Sequence, residues 1–166
     1  MSFTDAFRVL NGLKRRRVIR DYVVIGAIAA TAYMEPIFTE DVDIIVLVDS
    51  DEEYLSTFRR IAELAEAQDG MHQILGGVPV QVFPSTTKPL YRDTLEGARL
   101  SRIGRMRVKI ASPEHLVLLY LEAFRAKDQI RVRFLLPNSD RDQLQQLLER
   151  FDDEEKLLAS RLQALL

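Results

Sequence analysis

The sequence contains no cysteine and only two histidines among its 166 residues. Disulfide bonds and thiolate zinc sites are therefore excluded, and a metal centre built from several histidines is not expected. Any metal must then be held by carboxylates. No apolar run approaches the ~20 residues that a membrane-spanning helix needs, and residues 1–5 lack the charged and apolar regions of a signal peptide. We therefore expect a cytoplasmic protein without a membrane partner.

The composition is that of an ordinary folded protein, with 47% hydrophobic and 29% charged residues. The net charge of -2 argues against a protein whose whole surface binds nucleic acid. Basic residues are nevertheless concentrated at 14–17 and again around Gly104. Each basic stretch is either solvated surface, which at a sheet edge also prevents unwanted pairing, or a contact for the phosphates of a nucleotide or RNA.

Two aspartates one residue apart, Asp41 and Asp43, stand at the start of an apolar, β-branched run that ends at Val48. Side chains repeat every two residues along a strand, so both carboxylates should point to the same side. Carboxylate oxygens are the ligands that Mg²⁺ prefers, commonly one or two of them together with substrate phosphates. The pair predicts a metal site, and the alternative is a pair of turn residues that cap local N–H groups.

Two glycine-containing segments frame this pair. Residues 22–25 predict a short buried strand closed by Gly26, and the small residues 27–33 predict a helix whose first N–H groups could approach a phosphate. The same glycine could instead only permit tight packing of helix on sheet. Downstream, Gly76-Gly77 predicts a hairpin with a two-residue turn, which places Gln81 on the face opposite the valines of its strand.

The remaining pattern predicts a mixed sheet flanked by helices and followed by a helical bundle, an α/β fold of the α+β type. Residues 1–111 would form the α/β core, and residues 112–166 a helical part packed on it. Helices are predicted over 3–13, 52–68, 89–95 and 129–136. Three more are predicted: one capped by Ser112, one capped by Ser139 and a last one from Asp152. A second strand pair is predicted over 98–103 and 106–110.

The segments Ile25–Ala29 and Thr39–Asp43 resemble the signature of the polymerase-beta-like nucleotidyltransferase superfamily. In that superfamily a Gly-Gly or Gly-Ser turn precedes two metal-binding aspartates on the next strand. Residues 36–43 are similar to the branch that includes the AbiE-type abortive-infection toxins and related minimal nucleotidyltransferases. Two further stretches agree with that branch: 78–83, at the place of the third-carboxylate strand, and 111–128, similar to the helix that closes the site.

The resemblance implies two Mg²⁺ ions and a nucleoside triphosphate, from which a nucleoside monophosphate passes to a hydroxyl of RNA or protein with loss of pyrophosphate. It also implies a toxin that an antitoxin protein could accompany. Asp41 and Asp43 would be the catalytic metal ligands. The residues expected to bind nucleotide and cofactor are Gly26, Ala27, Thr39, Gln81, Lys109 and Lys127.

Several positions depart from this branch. Ala27 replaces the second glycine of the turn, and Ile37 and Tyr120 stand where the branch often has basic residues. Gln81 stands where the third carboxylate is expected, and an amide can orient an oxygen toward a cation but cannot accept a proton as a base. Whether Asp93 or Glu96 substitutes is left open by the sequence. Three functions therefore remain: a Mg²⁺-dependent nucleotidyltransferase, a binder of nucleotide or nucleic acid without turnover, and an interaction protein that kept only the fold.

Overall fold

The computed structural model describes residues 2–166, and within them seven strands form one mixed sheet. The strands are β1 (Tyr22–Ile25), β2 (Val42–Val46), β3 (Ala67–Asp69), β4 (His72–Leu75), β5 (Val78–Pro84), β6 (Arg99–Ile103) and β7 (Met106–Ile110). They lie in the order β3-β4-β5-β2-β1-β7-β6. β2 runs parallel to β5 and β1 parallel to β7, whereas the other neighbours are antiparallel.

The same residues form eight α-helices and one short 3₁₀ segment, Leu136–Asn138. The helices are α1 (Phe3–Arg15), α2 (Gly26–Ala30), α3 (Asp51–Leu64), α4 (Pro89–Glu96), α5 (Pro113–Ala123), α6 (Ala126–Leu135), α7 (Arg141–Phe151) and α8 (Leu157–Leu165). The predicted class, a mixed sheet flanked by helices, is confirmed. Over residues 2–166, no helix has the length and apolar character required to cross a membrane.

The two faces of the sheet differ in chemistry because side chains alternate along each strand. On one face the valines of β2 and β5 are buried, and Tyr22 of β1 donates its hydroxyl to Asn11 of α1 at 2.6 Å. α1 therefore packs on this valine face. The opposite face carries Asp43 and Gln81, which lie directly across from each other on β2 and β5. Gln81 thus lies opposite the valines, as the period-two pattern predicts.

The hydrophobic core joins the sheet to the C-terminal helices. Val24 of β1 and Ile44 of β2 belong to the same buried cluster as Leu116 and Leu121 of α5. α5 also contacts α2, α6, α7 and α8. Within the described residues, the predicted segments 1–111 and 112–166 both contribute to this cluster; Met1 lies outside those residues.

β3 is an element that the sequence pattern did not predict. The helix expected over 52–68 ends at Leu64, and residues 67–69 pair with β4 instead, with Ala67 opposite Ile74. Ala65 leaves the helix with an extended backbone. The free edge of β4 offers N–H and C=O groups to this segment, and hydrogen bonds to that edge replace a further helical turn.

Three helix starts in the C-terminal part also differ from the prediction. α6 begins at Ala126 rather than at residue 129. The carboxylate of Asp140, rather than Ser139, caps α7 by accepting two N–H groups of its first turn. α8 begins at Leu157 rather than at Asp152. The Asp152 carboxylate nevertheless accepts two N–H groups of the first turn of α8 from outside the helix. The acids serve the helix N-terminus as expected, although the chain reaches that position through a loop.

Candidate active site

A row of polar side chains crosses three adjacent strands on the face opposite α1. Asp43 on β2 lies opposite Gln81 on β5, and Gln81 lies opposite His72 on β4. On the other side, Asp43 lies opposite Ile25, the last residue of β1. Residues that pair across a sheet point to the same face. The register therefore places Asp43, Gln81 and His72 side by side.

Gly26 lies in direct contact with the Asp43 side chain. Its backbone has a φ of +67°, and a Cβ added there would lie 2.5 Å from the Asp43 Oδ2 atom. A left-handed backbone at this point favours glycine, and the approach of the carboxylate excludes a larger side chain. The turn between β1 and α2 thus limits the position of the Asp43 carboxylate, and the carboxylate in turn requires a glycine in that turn.

The Asp43 carboxyl is held in an environment that disfavours its charge. Burial, and then the neighbouring Asp41 carboxylate, raise its pKa from 3.8 to about 6, against the opposing influence of His72, Arg125 and Lys127. Desolvation and a like charge both favour the neutral form of a carboxyl group. A cation bound between Asp41 and Asp43 would relieve both effects, which is the electrostatic situation expected of a metal-binding pair.

Asp41 precedes β2 and is held by two neighbours. Thr39 Oγ1 donates to Asp41 Oδ1 at 3.1 Å, and His72 Nε2 donates to Asp41 Oδ2 at 3.1 Å. Each carboxylate oxygen therefore has one fixed donor. The carboxylate keeps its remaining lone pairs for a ligand on the side of Asp43.

His72 is a residue of the site that the sequence reasoning missed. The signal was present in the predicted hairpin, because a two-residue turn at Gly76-Gly77 pairs Leu75 with Val78. Counting back along both strands from that pair places His72 opposite Gln81, which is the observed register. The contact with Asp41 could not be counted in this way, since it depends on the non-local pairing of β5 with β2.

A cleft of about 310 Å³ opens beside Asp43, between the sheet and helices α4 and α5. Apolar and aromatic side chains supply much of its wall, as is usual for small-molecule sites. Its lining residues are Ile25, Gly26, Asp43, Phe83, Lys88, Tyr91, Leu116, Leu119, Tyr120, Glu122, Ala123 and Arg125. Asp43 and Gly26 therefore border an open cleft that is large enough for part of a nucleotide.

The wall formed by α4 and α5 combines aromatic rings with an ion pair. Lys88 Nζ lies 3.1 Å from Glu122 Oε1 and 5.1 Å from the centroid of the Tyr91 ring. The Tyr91 ring in turn contacts Phe83 edge to face, with centroids 6.2 Å apart. This wall offers aromatic rings together with a hydrogen-bond donor and an acceptor, which suits a heterocyclic base.

Two basic residues at the junction of α5 and α6 act electrostatically on Asp43. Arg125 lines the cleft and binds the buried Asp128 carboxylate through its Nε at 2.7 Å. Lys127 is exposed, and its charge lowers the pKa of Asp43 as that of Arg125 does. Lys127, which the sequence predicted, and Arg125, which it did not, thus both act on Asp43.

Lys109 is not brought to the aspartate pair, which corrects its assignment as a nucleotide-binding residue. Its Nζ lies 2.5 Å from the carboxylate of Asp21, which also pairs with Lys14 at 2.9 Å. Asp21 precedes the first residue of β1, whereas Asp43 lies opposite the last residue of that strand. The parallel pairing of β7 with β1 directs Lys109 to the start of the strand, away from the cleft.

The turn after β1 places Ala27 in the first turn of α2. Its methyl side chain is buried, and its backbone belongs to a helix of only five residues. The position before this helix is Ile25, which has no side-chain oxygen to accept the first N–H groups. The second residue of the expected Gly-Gly turn is therefore an alanine that packs inward while its N–H stays in the turn beside Asp43.

Within residues 2–166, no three histidine, aspartate or glutamate side chains gather closely enough to form a complete metal centre. The residues present fit a cation that takes only part of its ligands from the protein, namely from Asp41 and Asp43, with Gln81 on the strand opposite Asp43. This donor set suits Mg²⁺, which binds through one or two carboxylates and completes its shell with water and phosphate oxygens.

Comparison with known proteins shows the fold. No family model matches the chain, and a search of curated proteins found no match. Among solved structures, an antigenic nucleotidyltransferase-like protein from Paracoccidioides brasiliensis is 19% identical over 97% of this chain and 91% of its own, with a TM-score of 0.59. ANT(2")-Ia in complex with adenylyl-2"-tobramycin is 11% identical over 96% of both chains, with a TM-score of 0.58. The protein thus has a nucleotidyltransferase-like fold.

Proposed function

We propose that the protein is a nucleotidyltransferase that binds a nucleoside triphosphate with Mg²⁺ in the cleft and transfers its nucleoside monophosphate to a hydroxyl group. The observation that carries the proposal is the contact of Asp43 with Gly26 in a cleft that Arg125 also lines, with Asp41 close enough to raise the Asp43 pKa. The nucleotidyltransferase-like fold supports it, as does the structural neighbour whose complex contains adenylyl-2"-tobramycin.

Asp41 and Asp43 would hold the metal, and Thr39 and His72 would keep the Asp41 carboxylate oriented. Bound Mg²⁺ supplies neutralisation of charge on the phosphoryl oxygens and activation of the attacking oxygen. Arg125 and Lys127 would add positive charge at the rim, where a triphosphate requires it. The wall of Tyr91 and Phe83 would take the base, and the enclosure by α5 would exclude water from the reacting groups.

The main argument against catalysis is that Gln81 stands where a third carboxylate is expected. Gln81 lies opposite Asp43, where its amide can orient an oxygen but cannot take a proton from the attacking hydroxyl. Asp93 is bound to His115 and Arg150 at 2.7 Å each, and Glu96 to Arg92 at 3.1 Å. Both acids are engaged elsewhere. The second candidate function is therefore a member of this fold that binds nucleotide without turning it over.

RNA is the acceptor that the charge distribution favours over protein. Arg102, Arg105 and Arg107 are exposed on the β6–β7 hairpin, and Arg102 lies directly opposite Arg107. The ion pairs of this hairpin involve Arg99 and Lys109, so these three arginines have no acidic partner among residues 2–166. Two like charges face to face destabilise a sheet, and an RNA backbone would neutralise them. A toxin role and an antitoxin partner belong to the same proposal through the AbiE-type resemblance alone.

The test is transfer of label from each of the four nucleoside triphosphates, labelled at the α-phosphate, to total RNA in the presence of Mg²⁺. We expect labelled RNA with the wild-type protein and none with Asp41→Asn combined with Asp43→Asn. Glu154→Gln with Glu155→Gln serves as the matched control, because both acids are exposed in the segment before α8.

Calorimetry with Mg²⁺ and each nucleotide separates the two candidate functions. Binding without label transfer under any of the four nucleotides would support the binder and reject the enzyme. Absence of both binding and transfer would reject both functions. A ligand of the folded state must also raise the melting temperature by mass action, so thermal unfolding with Mg²⁺ and nucleotide checks the binding result.

A further inference from the structure

A second groove, of about 500 Å³, lies beside the aspartate pair, and no residue among 2–166 lines both this groove and the nucleotide cleft. Thr39 connects the groove to the pair, because it lines the groove and its hydroxyl donates to Asp41 Oδ1 at 3.1 Å. The register of β2 on β5 gives the same placement. Val42 lies opposite Val80 in a parallel pairing, so Asp41 and the groove residue Pro79, which precede them, lie at the same end of the sheet.

Phe38 presents an aromatic ring to this groove. Its side chain is 86% exposed, the highest value among the large hydrophobic side chains of residues 2–166, and it stands next to Thr39 in the chain. A ring in water forgoes the stabilisation that its burial in the core would give. Phe3 and Val78 line the same groove, so the ring borders an apolar surface. An exposed ring of this kind offers a face on which a planar ligand can stack.

The surface next to the groove carries the unpaired arginines of the β6–β7 hairpin. Gly104, in the turn of that hairpin, packs against the side chain of Thr4, and Thr4 follows the groove residue Phe3 in the first turn of α1. Arg102 and Arg105 are exposed on either side of Gly104. Basic residues that bind phosphates next to an aromatic ring that stacks on bases form the usual arrangement for binding single-stranded nucleic acid.

Glu40 indicates which part of an RNA would lie in the groove. It is exposed and is the one acid among the described residues that line the groove. A carboxylate repels a phosphate but accepts hydrogen bonds from the N–H groups of a base. The base would therefore lie in the groove, and the phosphates would lie toward the hairpin. Stacking on Phe38 also requires an unpaired base, because the faces of a base within a duplex are covered by its neighbours.

We propose that this groove binds the single-stranded 3′ end of the acceptor RNA, with its terminal base stacked on Phe38 and its terminal hydroxyl next to the metal held by Asp41 and Asp43. The inference rests on the proposed function, because it names the acceptor site of that transfer. It assigns to Phe38 a binding role without a part in the chemistry.

The test is the affinity of Phe38 variants for a short, fluorescently labelled oligoadenylate, measured by anisotropy with Mg²⁺ at one fixed salt concentration. Phe38→Ala should raise the dissociation constant about tenfold, as the loss of one stacked base implies. Phe38→Leu should lose as much, because it keeps an apolar side chain without a flat ring, whereas Phe38→Tyr should bind as the wild type does. Calorimetry should give all three variants wild-type affinity for Mg²⁺-nucleoside triphosphate.

An oligoadenylate that lacks the base of its 3′-terminal nucleotide shows whether ring and base act on each other. The wild type should bind this RNA about tenfold more weakly than the intact one, whereas Phe38→Ala should bind both equally. Phe134→Ala is the matched control, because Phe134 is a 55% exposed phenylalanine on α6. It should bind both RNAs as the wild type does.

Wild-type affinity of Phe38→Ala for oligoadenylate would overturn the inference and leave the proposed function standing. The inference would also fail if Phe38→Leu kept wild-type affinity, since the groove would then make an apolar contact of the kind a protein segment uses. A wild-type protein that binds triphosphate but no RNA would refute the RNA site alone. RNA binding through Phe38 without any binding of triphosphate would overturn the proposed function, and with it the acceptor role of the groove.

Discussion

At the scale of single residues, the site is dominated by the mutual fit of Gly26, Asp41 and Asp43. Asp43 loses solvation and faces a like charge, while Gly26 leaves no room for its carboxylate to withdraw. Such an arrangement costs stability in the metal-free protein, because two nearby carboxylates repel when no cation lies between them. A bound cation would relieve this repulsion, and the pair therefore favours cation binding.

This cost gives the stability of the metal-free protein a defined pH dependence. The Asp43 pKa rises from 3.8 in the unfolded reference to about 6 in the folded protein. The folded state therefore binds the proton more tightly, and stability falls as the pH rises from about 4 to about 6, with the loss complete above that range. We expect Asp43→Asn in EDTA to be more stable than the wild type by about 1–3 kcal/mol at pH 7 and equal to it near pH 4.

Denaturant titrations of both proteins across this pH range provide the measurement. The wild-type free energy of unfolding should decline between pH 4 and 6 relative to that of Asp43→Asn. A constant difference across the range would show that the Asp43 carboxyl titrates normally. Addition of Mg²⁺ with nucleotide should stabilise the wild type and leave Asp43→Asn unaffected.

Gly26→Ala should separate backbone strain from damage to the site. Gly26 and Gly70 have similar left-handed backbones, with φ of +67° and +60°, but a Cβ at Gly70 would meet nothing within 4 Å. Each alanine should cost about 1–2 kcal/mol of stability through its backbone. Only Gly26→Ala should also push the Asp43 carboxylate aside and weaken Mg²⁺-nucleotide binding by tenfold or more. Calorimetry on both variants measures the affinity for Mg²⁺-nucleotide. Equal affinities in the two would show that Gly26 has no part in binding.

At the scale of elements, each strand contributes to the site through its register. β2 supplies Asp43, β5 supplies Gln81 and β4 supplies His72, all in one row. A slip of one residue in any of these pairings would turn that strand's side chain to the opposite face. The two-residue turn at Gly76-Gly77 and the buried valines on the other face hold the register against such a slip.

The β6–β7 hairpin should bind RNA through its arginines. Replacing Arg102 and Arg107 by serine should weaken RNA binding and lower the slope of log affinity against log salt by about 1.4, the value for two contacts to a single strand. Arg59→Ser with Arg141→Ser is the control, because both are exposed arginines on other elements, α3 and α7. Filter binding from low to moderate salt measures the slope. Equal slopes in the two double variants would exclude the hairpin as the RNA surface.

At the scale of the whole molecule, the sheet and the C-terminal helices behave as one packed body in the described residues. α5 supplies both buried core residues and the far wall of the cleft. The cleft therefore exists only while α5 is docked on the sheet, and binding should be coupled to the stability of the entire chain.

We expect a single cooperative unfolding transition, with circular dichroism and aromatic fluorescence giving the same midpoint. Leu118→Ala on α5, at a side chain that is 0% exposed, should lower the free energy of unfolding by about 2–5 kcal/mol and keep the transition single. Two separate transitions, with only one displaced by the substitution, would show that residues 112–166 fold independently of the sheet.

The sequence by itself determined the features that local chemistry controls. Alternation of valines set the faces of β5, Gly76-Gly77 set its hairpin, and Ser112 followed by proline set the start of α5, where the serine accepts the N–H of His115. The spacing of Asp41, just before β2, and Asp43 on it likewise predicted that both carboxylates point to one side. These features were predictable because each depends on residues only a few positions apart.

The tertiary structure decided which distant groups meet. Strand order brought His72 to Asp41 and directed Lys109 to Asp21. β3 formed because the edge of β4 was free, although its residues continued a helical pattern. Contacts of this kind depend on how the strands and helices pack together. The free energy of that packing is shared among many side chains far apart in the chain.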